Sequence, residues 1–150
     1  MSVINAFRRR ETSLSSENHG LHSLEVLKLL SSDLISNGFE CAVTPTARKK
    51  SVVSLPADDP AGSRVTKFDA FHRASKTSVN VLAGQGVANN TYLRSALHAS
   101  LAVDVRHVVI AVRLTYNNSS NFDPAKEFLD VLMNSENTRL DLDSLTLIGY

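Results

Sequence analysis

The sequence contains a single cysteine, Cys41, among 150 residues. One thiol excludes an internal disulfide framework and a cysteine zinc cluster. No apolar run approaches the roughly 20 residues that a membrane-spanning helix needs. The first ten residues also lack the apolar stretch of a signal peptide. These absences favour a reducing compartment, so a cytoplasmic location without membrane attachment is expected.

The chain has little net charge, +1 at pH 7 with neutral histidines, so no strong overall field attracts it to nucleic acid. Six of its 16 lysines and arginines nevertheless lie in two runs of three. Solvated surface is one interpretation of these runs, and contact with the phosphates of nucleic acid is the other. The residues that the second interpretation assigns to nucleic-acid binding are Arg8, Arg9, Arg10, Arg48, Lys49 and Lys50.

Several common catalytic motifs are missing. The five histidines form no HExxH pattern, and no G-x-S-x-G elbow occurs. The stretch GQGVANN lacks the third glycine of a dinucleotide loop and the GK[ST] of a P-loop. We therefore interpret the histidines as surface or capping residues and GQGVANN as a tight strand-to-helix turn.

The length and the 43% hydrophobic content are sufficient for one domain with a sizeable core. Apolar periodicity predicts helices over about 21–37 and 91–102, and a third helix with Asp123 as its cap. Strands are expected over about 39–44, 51–55, 65–71, 78–83, 107–114 and 144–150. Strands that alternate with helices predict an α/β domain, with a central mixed sheet flanked by helices.

Two segments differ in composition. Residues 1–20 are rich in Ser, Arg, Glu and Asn, and are expected to form a basic N-terminal arm, either mobile or folded into a short helix. Residues 21–150 are expected to form the α/β domain. Its second helix is predicted to bury a stripe made of Leu93, Ala96, Leu97 and Leu101.

The stretch KFDAFHRASKTSVNVLAGQG, residues 67–86, reads as two strands joined by a polar turn. An aspartate on the first strand and a polar position on the second, in this element order, resemble the restriction-endonuclease-like, or PD-(D/E)XK, superfamily. The run from Val79 to Arg113, followed by LTLIGY, is similar to a group of small bacterial and plasmid-borne proteins of that fold. The resemblance covers about residues 21–150 and implies a restriction-endonuclease-like core.

The resemblance also implies phosphodiester hydrolysis, in which carboxylates hold Mg²⁺ and the metal polarises phosphate and activates water. Asp69 fills the position of the first acidic ligand. Asn80 stands at the second acidic position, Leu82 at the next polar position, and Gln85 where the group has arginine. Mg²⁺ prefers anionic oxygens, so the implied site of Asp69, Asn80 and Gln85 is degenerate.

A relocated acid could restore such a site: Glu25 on the first long helix is one candidate to share a metal with Asp69, and Glu40 at the start of the first strand is another. Arg94 is a further candidate for contact with nucleic acid. Solvent exposure or a surface ion pair is the alternative for Glu25 and Arg94. Three functions stay open: a weak or inactive nuclease relative that binds nucleic acid, an active Mg²⁺-dependent DNA endonuclease, and a protein-interaction module. A homodimer is the expected assembly.

Overall fold

A computed structural model gives the structure of the protein and describes residues 3–15, 20–43, 52–54, 65–84 and 89–150. The helices within these ranges are α1 (Val3–Arg9), α2 (Glu11–Leu14), α3 (Ser23–Ser36), α4 (Thr91–Leu101) and α5 (Phe122–Asn134). The strands are β1 (Glu40–Cys41), β2 (Val52–Ser54), β3 (Val65–Lys67), β4 (Ala70–His72), β5 (Thr77–Leu82), β6 (His107–Val112), β7 (Thr115–Tyr116), β8 (Ser119–Ser120) and β9 (Ser144–Gly149). None of these helices is long and apolar enough to cross a bilayer.

Five strands form a mixed sheet in the order β1-β4-β5-β6-β9. Strands β1, β4 and β5 are antiparallel neighbours, whereas β5, β6 and β9 run parallel. Parallel neighbours need a long crossover, and α4 and α5 supply the two crossovers here. The pairs β2–β3 and β7–β8 form two separate two-stranded sheets. The prediction of an α/β domain with a mixed sheet flanked by helices is confirmed.

Alternation along the strands gives the sheet two buried faces. Val79 and Val81 of β5 pack in a cluster with α1, α2 and α3. Val108 and Ile110 of β6 pack on the other face, in a cluster with α4 and α5. Both faces of β6 are therefore covered, which explains its almost entirely apolar sequence, HVVIAV.

The N-terminal segment contributes to the first of these clusters. Val3, Ala6, Phe7 and Leu14 are buried with residues of α3 and β5. Of the two alternatives for this segment, residues 3–14 thus take the helical one. Their apolar side chains belong to the same core as residues of the 21–150 segment.

Two local predictions are wrong. Helix α5 begins two residues earlier than expected, with Asn121 instead of Asp123 in the N-cap position, and the Asp123 carboxylate accepts a bond from the Ser120 hydroxyl at 2.8 Å. On α4, Leu97 and Leu101 are 40% and 57% exposed. The buried stripe of α4 keeps Ala96 of the prediction and adds Tyr92, Ser95 and Ala99, whereas Leu93 is only partly buried.

Candidate functional site

The carboxyl ends of the parallel strands β5, β6 and β9 lie together at one edge of the sheet. The ladder continues past β9, since the Tyr150 N–H donates to Val112 O at 3.1 Å and the Leu114 N–H donates to Tyr150 O at 2.8 Å. Ligands of open α/β sheets bind outside the carboxyl ends of the strands. This carboxyl edge, with Ala83, Arg113 and Tyr150 following the three strands, is therefore the first place to look for a site.

Asp69 lies in a bend just before β4, opposite the carboxyl half of β5. Its backbone N–H donates to Val79 O at 3.0 Å, and its carbonyl accepts from the Ala42 N–H at 2.8 Å. Its side-chain Oδ2 accepts from the Val81 N–H at 2.8 Å. The Asp69 carboxylate thus replaces a backbone carbonyl at a point where the strand pairing is interrupted.

The interruption follows from the spacing of the neighbouring phenylalanines. Phe68 and Phe71 are three residues apart, yet both belong to the α4–α5 cluster, and their rings lie 6.3 Å apart. Ala70 belongs to the opposite cluster. Residues three apart in a regular strand face opposite sides, so this segment contains one extra residue, as in a β-bulge.

Asn80 lies on the α4–α5 face of the sheet, paired in register with Ile110. It is 9% exposed, and its Nδ2 has no hydrogen-bond partner among the residues that the structure describes. Leu82 packs on the same face. The structure therefore brings Asp69 to the backbone of Val81, while the Asn80 side chain points into the apolar layer beneath α4.

Glu25 caps a helix at the same edge. Its Oε2 accepts from the His22 N–H at 2.8 Å, completing a capping box at the start of α3. The Ser23 hydroxyl accepts from the Ala83 N–H at 3.0 Å and holds the start of α3 against the end of β5. Glu25 and Asp69 thus lie on parts of the chain that meet at the carboxyl edge. In both residues, one carboxylate oxygen accepts a hydrogen bond from a backbone N–H.

These residues do not fit a Mg²⁺ site. Within the described ranges, no three His, Cys, Asp or Glu side chains are grouped so that they could hold a metal ion. One oxygen of Asp69 is used by Val81, and Asn80 is a neutral group on the apolar face. Gln85 lies outside the described residues, so its role stays a prediction, as does a Mg²⁺ cofactor.

Arg113 is the residue at this edge that the sequence did not single out. It directly follows the apolar strand β6, and only 8% of its surface is exposed. Its Nη1 donates to Ala83 O at 3.5 Å, and its guanidinium lies 5.7 Å from the centre of the Tyr116 ring. An arginine this deeply buried is rare, and its position after a parallel strand was the one available signal in the sequence.

Arg113 lines a cavity of about 530 Å³ at the carboxyl edge. The other walls that the structure describes are the segment before α3 (20–22), the residues just after β5 (83–84) and the β7–β8 hairpin (115–118). We call this space the edge cavity. Asn117 and Asn118, at the tip of the hairpin, have φ values of +49° and +60°, as a type I′ turn requires.

Buried charges act on one another at the edge. Burial raises the pKa of the Tyr150 phenol above its usual range, the positive charge of Arg113 lowers it, and the negative charge of Asp69 raises it. Burial also raises the pKa of the Cys41 thiol to about 11, with a smaller contribution from the Asp69 charge. Asp69 and Arg113 therefore place opposite charges within electrostatic reach of the same phenol.

The raised pKa of Cys41 predicts a loss of stability in alkaline solution. The unfolded thiol ionises near pH 9.0 and the folded thiol near pH 11. The protonated thiol therefore contributes fully to the free energy of unfolding below pH 9. This contribution declines as the thiol of the unfolded chain ionises, and it is lost once the pH exceeds the pKa of the folded thiol. Urea unfolding between pH 7 and 10.5 should show a steeper decline for the wild type than for Cys41→Ala. Equal slopes would contradict this prediction.

The predicted nucleic-acid-binding residues do not form one surface within the described ranges. Arg9 and Arg10 both contact the Asp33 carboxylate of α3, at 3.0 and 3.5 Å, so one acid offsets part of their charge. Arg8 is exposed on α1. Arg94 is exposed on α4, across the sheet from α1. The run Arg48, Lys49 and Lys50 lies outside the described residues.

Comparison with known proteins assigns no family: no family model, no curated protein and no solved structure matches the chain. The chemistry of the carboxyl edge and the order of the elements are therefore the basis for a function.

Proposed function

We propose that this protein is a nucleic-acid-binding domain with a restriction-endonuclease-like core and a degenerate site that does not hydrolyse phosphodiesters. The element order supports the proposed core. Helix α3 precedes three antiparallel neighbours, β1, β4 and β5, and α4 then leads to β6, which is parallel to β5. This helix–strand–strand–strand–helix–strand order is the one on which the resemblance is based; the short strands β2 and β3 pair outside the main sheet.

The observation that best supports the loss of hydrolysis is the hydrogen bond from the Val81 N–H to Asp69 Oδ2. A nuclease would use this carboxylate to bind a metal ion. Here the carboxylate completes the sheet, and the neighbouring ligand position is the neutral Asn80 on the opposite face. Bringing a metal to Asp69 would compete with the bond that satisfies a buried backbone donor.

Charge at the carboxyl edge supports the binding part of the proposal. Asn80 is neutral, whereas a nuclease has a carboxylate at this position. The degenerate site therefore carries less negative charge than a metal-free nuclease site, and it repels phosphate less. Arg113 keeps a positive charge at the same edge. A phosphate group can be attracted there without a metal ion.

A plasmid-nicking assay tests the proposal together with an electrophoretic shift assay. No cleavage is expected with Mg²⁺ or Mn²⁺, whereas an oligonucleotide should be shifted at about 50 mM salt and released by a few hundred millimolar. Nicking by the wild type that Asp69→Asn abolishes would instead establish an active endonuclease. Absence of any shift at low salt would contradict nucleic-acid binding and favour a protein partner. The homodimer stays a prediction.

A further inference from the structure

We infer that two copies of this chain associate through the outer edge of β9, so that their sheets join into one across a two-fold axis. The outer edge is the side of Ser144–Gly149 that faces away from β6. Strand β9 is the last strand of the five-stranded sheet, and no strand that the structure describes pairs with this side. The inference goes beyond the proposed function and does not depend on nucleic-acid binding.

The two edges of the sheet differ in how they oppose pairing with another chain. At the far edge, β1 has two residues, and its Glu40 carboxylate accepts a bond from Arg73 Nε at 2.7 Å. Short strands and charged side chains are the usual protection of a sheet edge. Strand β9 has six residues, SLTLIG, without a charge or a proline. An apolar edge strand of this length favours pairing with another strand.

The hydrogen-bonding groups of β9 set the register of that pairing. The Tyr150 N–H donates to Val112 O at 3.1 Å, so the even-numbered residues of this segment direct their backbone groups toward β6. Successive residues of a strand alternate in this direction, and those of Leu145, Leu147 and Gly149 therefore point outward. Antiparallel pairing centred on Leu147 places Leu147 opposite its own copy and Leu145 opposite Gly149. This symmetric register uses every outward-pointing donor and acceptor of the strand.

A groove of about 280 Å³ lies beside this edge, between α5 and the side chains of Leu145 and Leu147. Phe128, on the other side of α5, contacts the ring of Tyr92 on α4 at 6.1 Å between centres. The groove side of α5 therefore faces away from α4 and toward the outer edge, where a second copy would lie. It is one stripe at helical spacing, made of Phe122, Lys126, Leu129, Asp130 and Met133.

The charges of this stripe are complementary to themselves, which favours a second copy as the partner. The charged atoms of Lys126 and Asp130 lie 4.0 Å apart. A two-fold axis that reverses β9 also reverses α5, so Lys126 of one copy faces Asp130 of the other. Phe122 packs against Gly149. The midpoint of the two charges lies about 9 Å further along the helix, close to the level of Leu147, which is about 7 Å along the strand from Gly149. The charge pairs and the strand pairing thus share one axis.

Exposed apolar side chains near the axis extend the contact. Leu114 is 47% exposed and lies against Gly149, which has no side chain, so Leu145 of the second copy would pack on it. Ile4 of α1 is 39% exposed and lines a groove with Thr146. These contacts add to the strand pair, toward the roughly 800 Å² per partner that a standard interface buries.

Sedimentation equilibrium of the wild type tests the inference first. A dimer is expected at about 100 µM protein. In that dimer the amide hydrogens of Leu145, Leu147 and Gly149 should exchange slowly, because they bond to the second copy. A monomer at this concentration would overturn the inference, and slow exchange in that monomer would show that another segment of the same chain covers the edge. A dimer in which the three amides exchange rapidly would also overturn it.

A cysteine at the axis locates the contact. In a Cys41→Ala background, Leu147→Cys places two thiols on residues whose Cα atoms are about 5.5 Å apart, and a short bis-maleimide should crosslink them. Leu97→Cys, at a 40% exposed position on α4, is the matched control and should stay uncrosslinked. Crosslinking of both variants, or of neither, would contradict the proposed axis.

Charge reversal on α5 covers the case in which Leu147→Cys disturbs the fold. The side chains of Lys126 and Asp130 are 61% and 65% exposed, so neither change disturbs the core. Lys126→Glu brings like charges together across the axis and should weaken the dimer about tenfold at low salt. Adding Asp130→Lys restores opposite charges and should return the wild-type affinity. A dimer unaffected by Lys126→Glu, or one that the second change does not restore, would overturn the inference.

Discussion

Replacing Phe7 by alanine is expected to lower the free energy of unfolding by about 3–5 kcal/mol, the usual cost of truncating a buried aromatic side chain. Phe7 is 5% exposed, and its ring lies 5.4 Å from the ring of Tyr150. Domains of this size are stable by only about 5–15 kcal/mol, so the variant should lose a large share of its stability. Urea unfolding followed by circular dichroism measures the change.

Ile35→Ala is the matched control for Phe7→Ala. Ile35 is on α3, in the layer that packs with α1, but it is 55% exposed. Its truncation should cost less than about 1 kcal/mol. If Phe7→Ala were equally mild, helices α1 and α2 would not be anchored to the sheet in solution, and the N-terminal segment would be the mobile arm that the sequence left open.

Replacing Asp69 by alanine is the second large effect, with an expected loss of about 1–3 kcal/mol. The side chain is the acceptor for the Val81 N–H, and Val81 is only 1% exposed. Without the carboxylate, a buried backbone donor loses its partner. The loss should appear as a lower urea midpoint with an unchanged slope, because the surface exposed on unfolding stays the same.

Asp69→Asn distinguishes the hydrogen bond from the charge. The asparagine amide oxygen can still accept from the Val81 N–H, so this variant should recover most of the stability lost in Asp69→Ala. Asp130→Ala, at an exposed position on α5, controls for the removal of a carboxylate and should be nearly neutral. If Asp69→Asn were as unstable as Asp69→Ala, the negative charge would matter more than the bond.

The sequence predicts those parts of the fold whose signals are local. The almost entirely apolar β6 and the apolar face of α3 are examples. The face of α4 is predicted only in part: Ala96 is buried as expected, but Leu97 and Leu101 are exposed, and the smaller Ala99 is buried. The shape of the opposing layer decides which apolar stripe of the helix packs against the sheet. The helical spacing of apolar residues carries no information about that shape.

The candidate site depends on contacts between distant parts of the chain. Asp69 is visible as an aspartate between phenylalanines, but its bond to Val81 depends on a bulge that only the pairing of β4 with β5 defines. Arg113 and Asn117 are near in sequence. Their cavity also needs the start of α3 and the end of β5, which pairing and packing bring to the same edge. Sequence spacing carries no direct information about that convergence.

The contact between Phe7 and Tyr150 also sets an order of events during synthesis on the ribosome. Helix α1 emerges well before Ile148 and Tyr150, which complete its cluster and are translated after all its other members. Until β9 pairs with β6, the apolar face of α1 lacks part of its packing surface, and such a non-local step is slow. A nascent chain that stalls before β9 would therefore display Phe7 and Leu14 to chaperones and proteases.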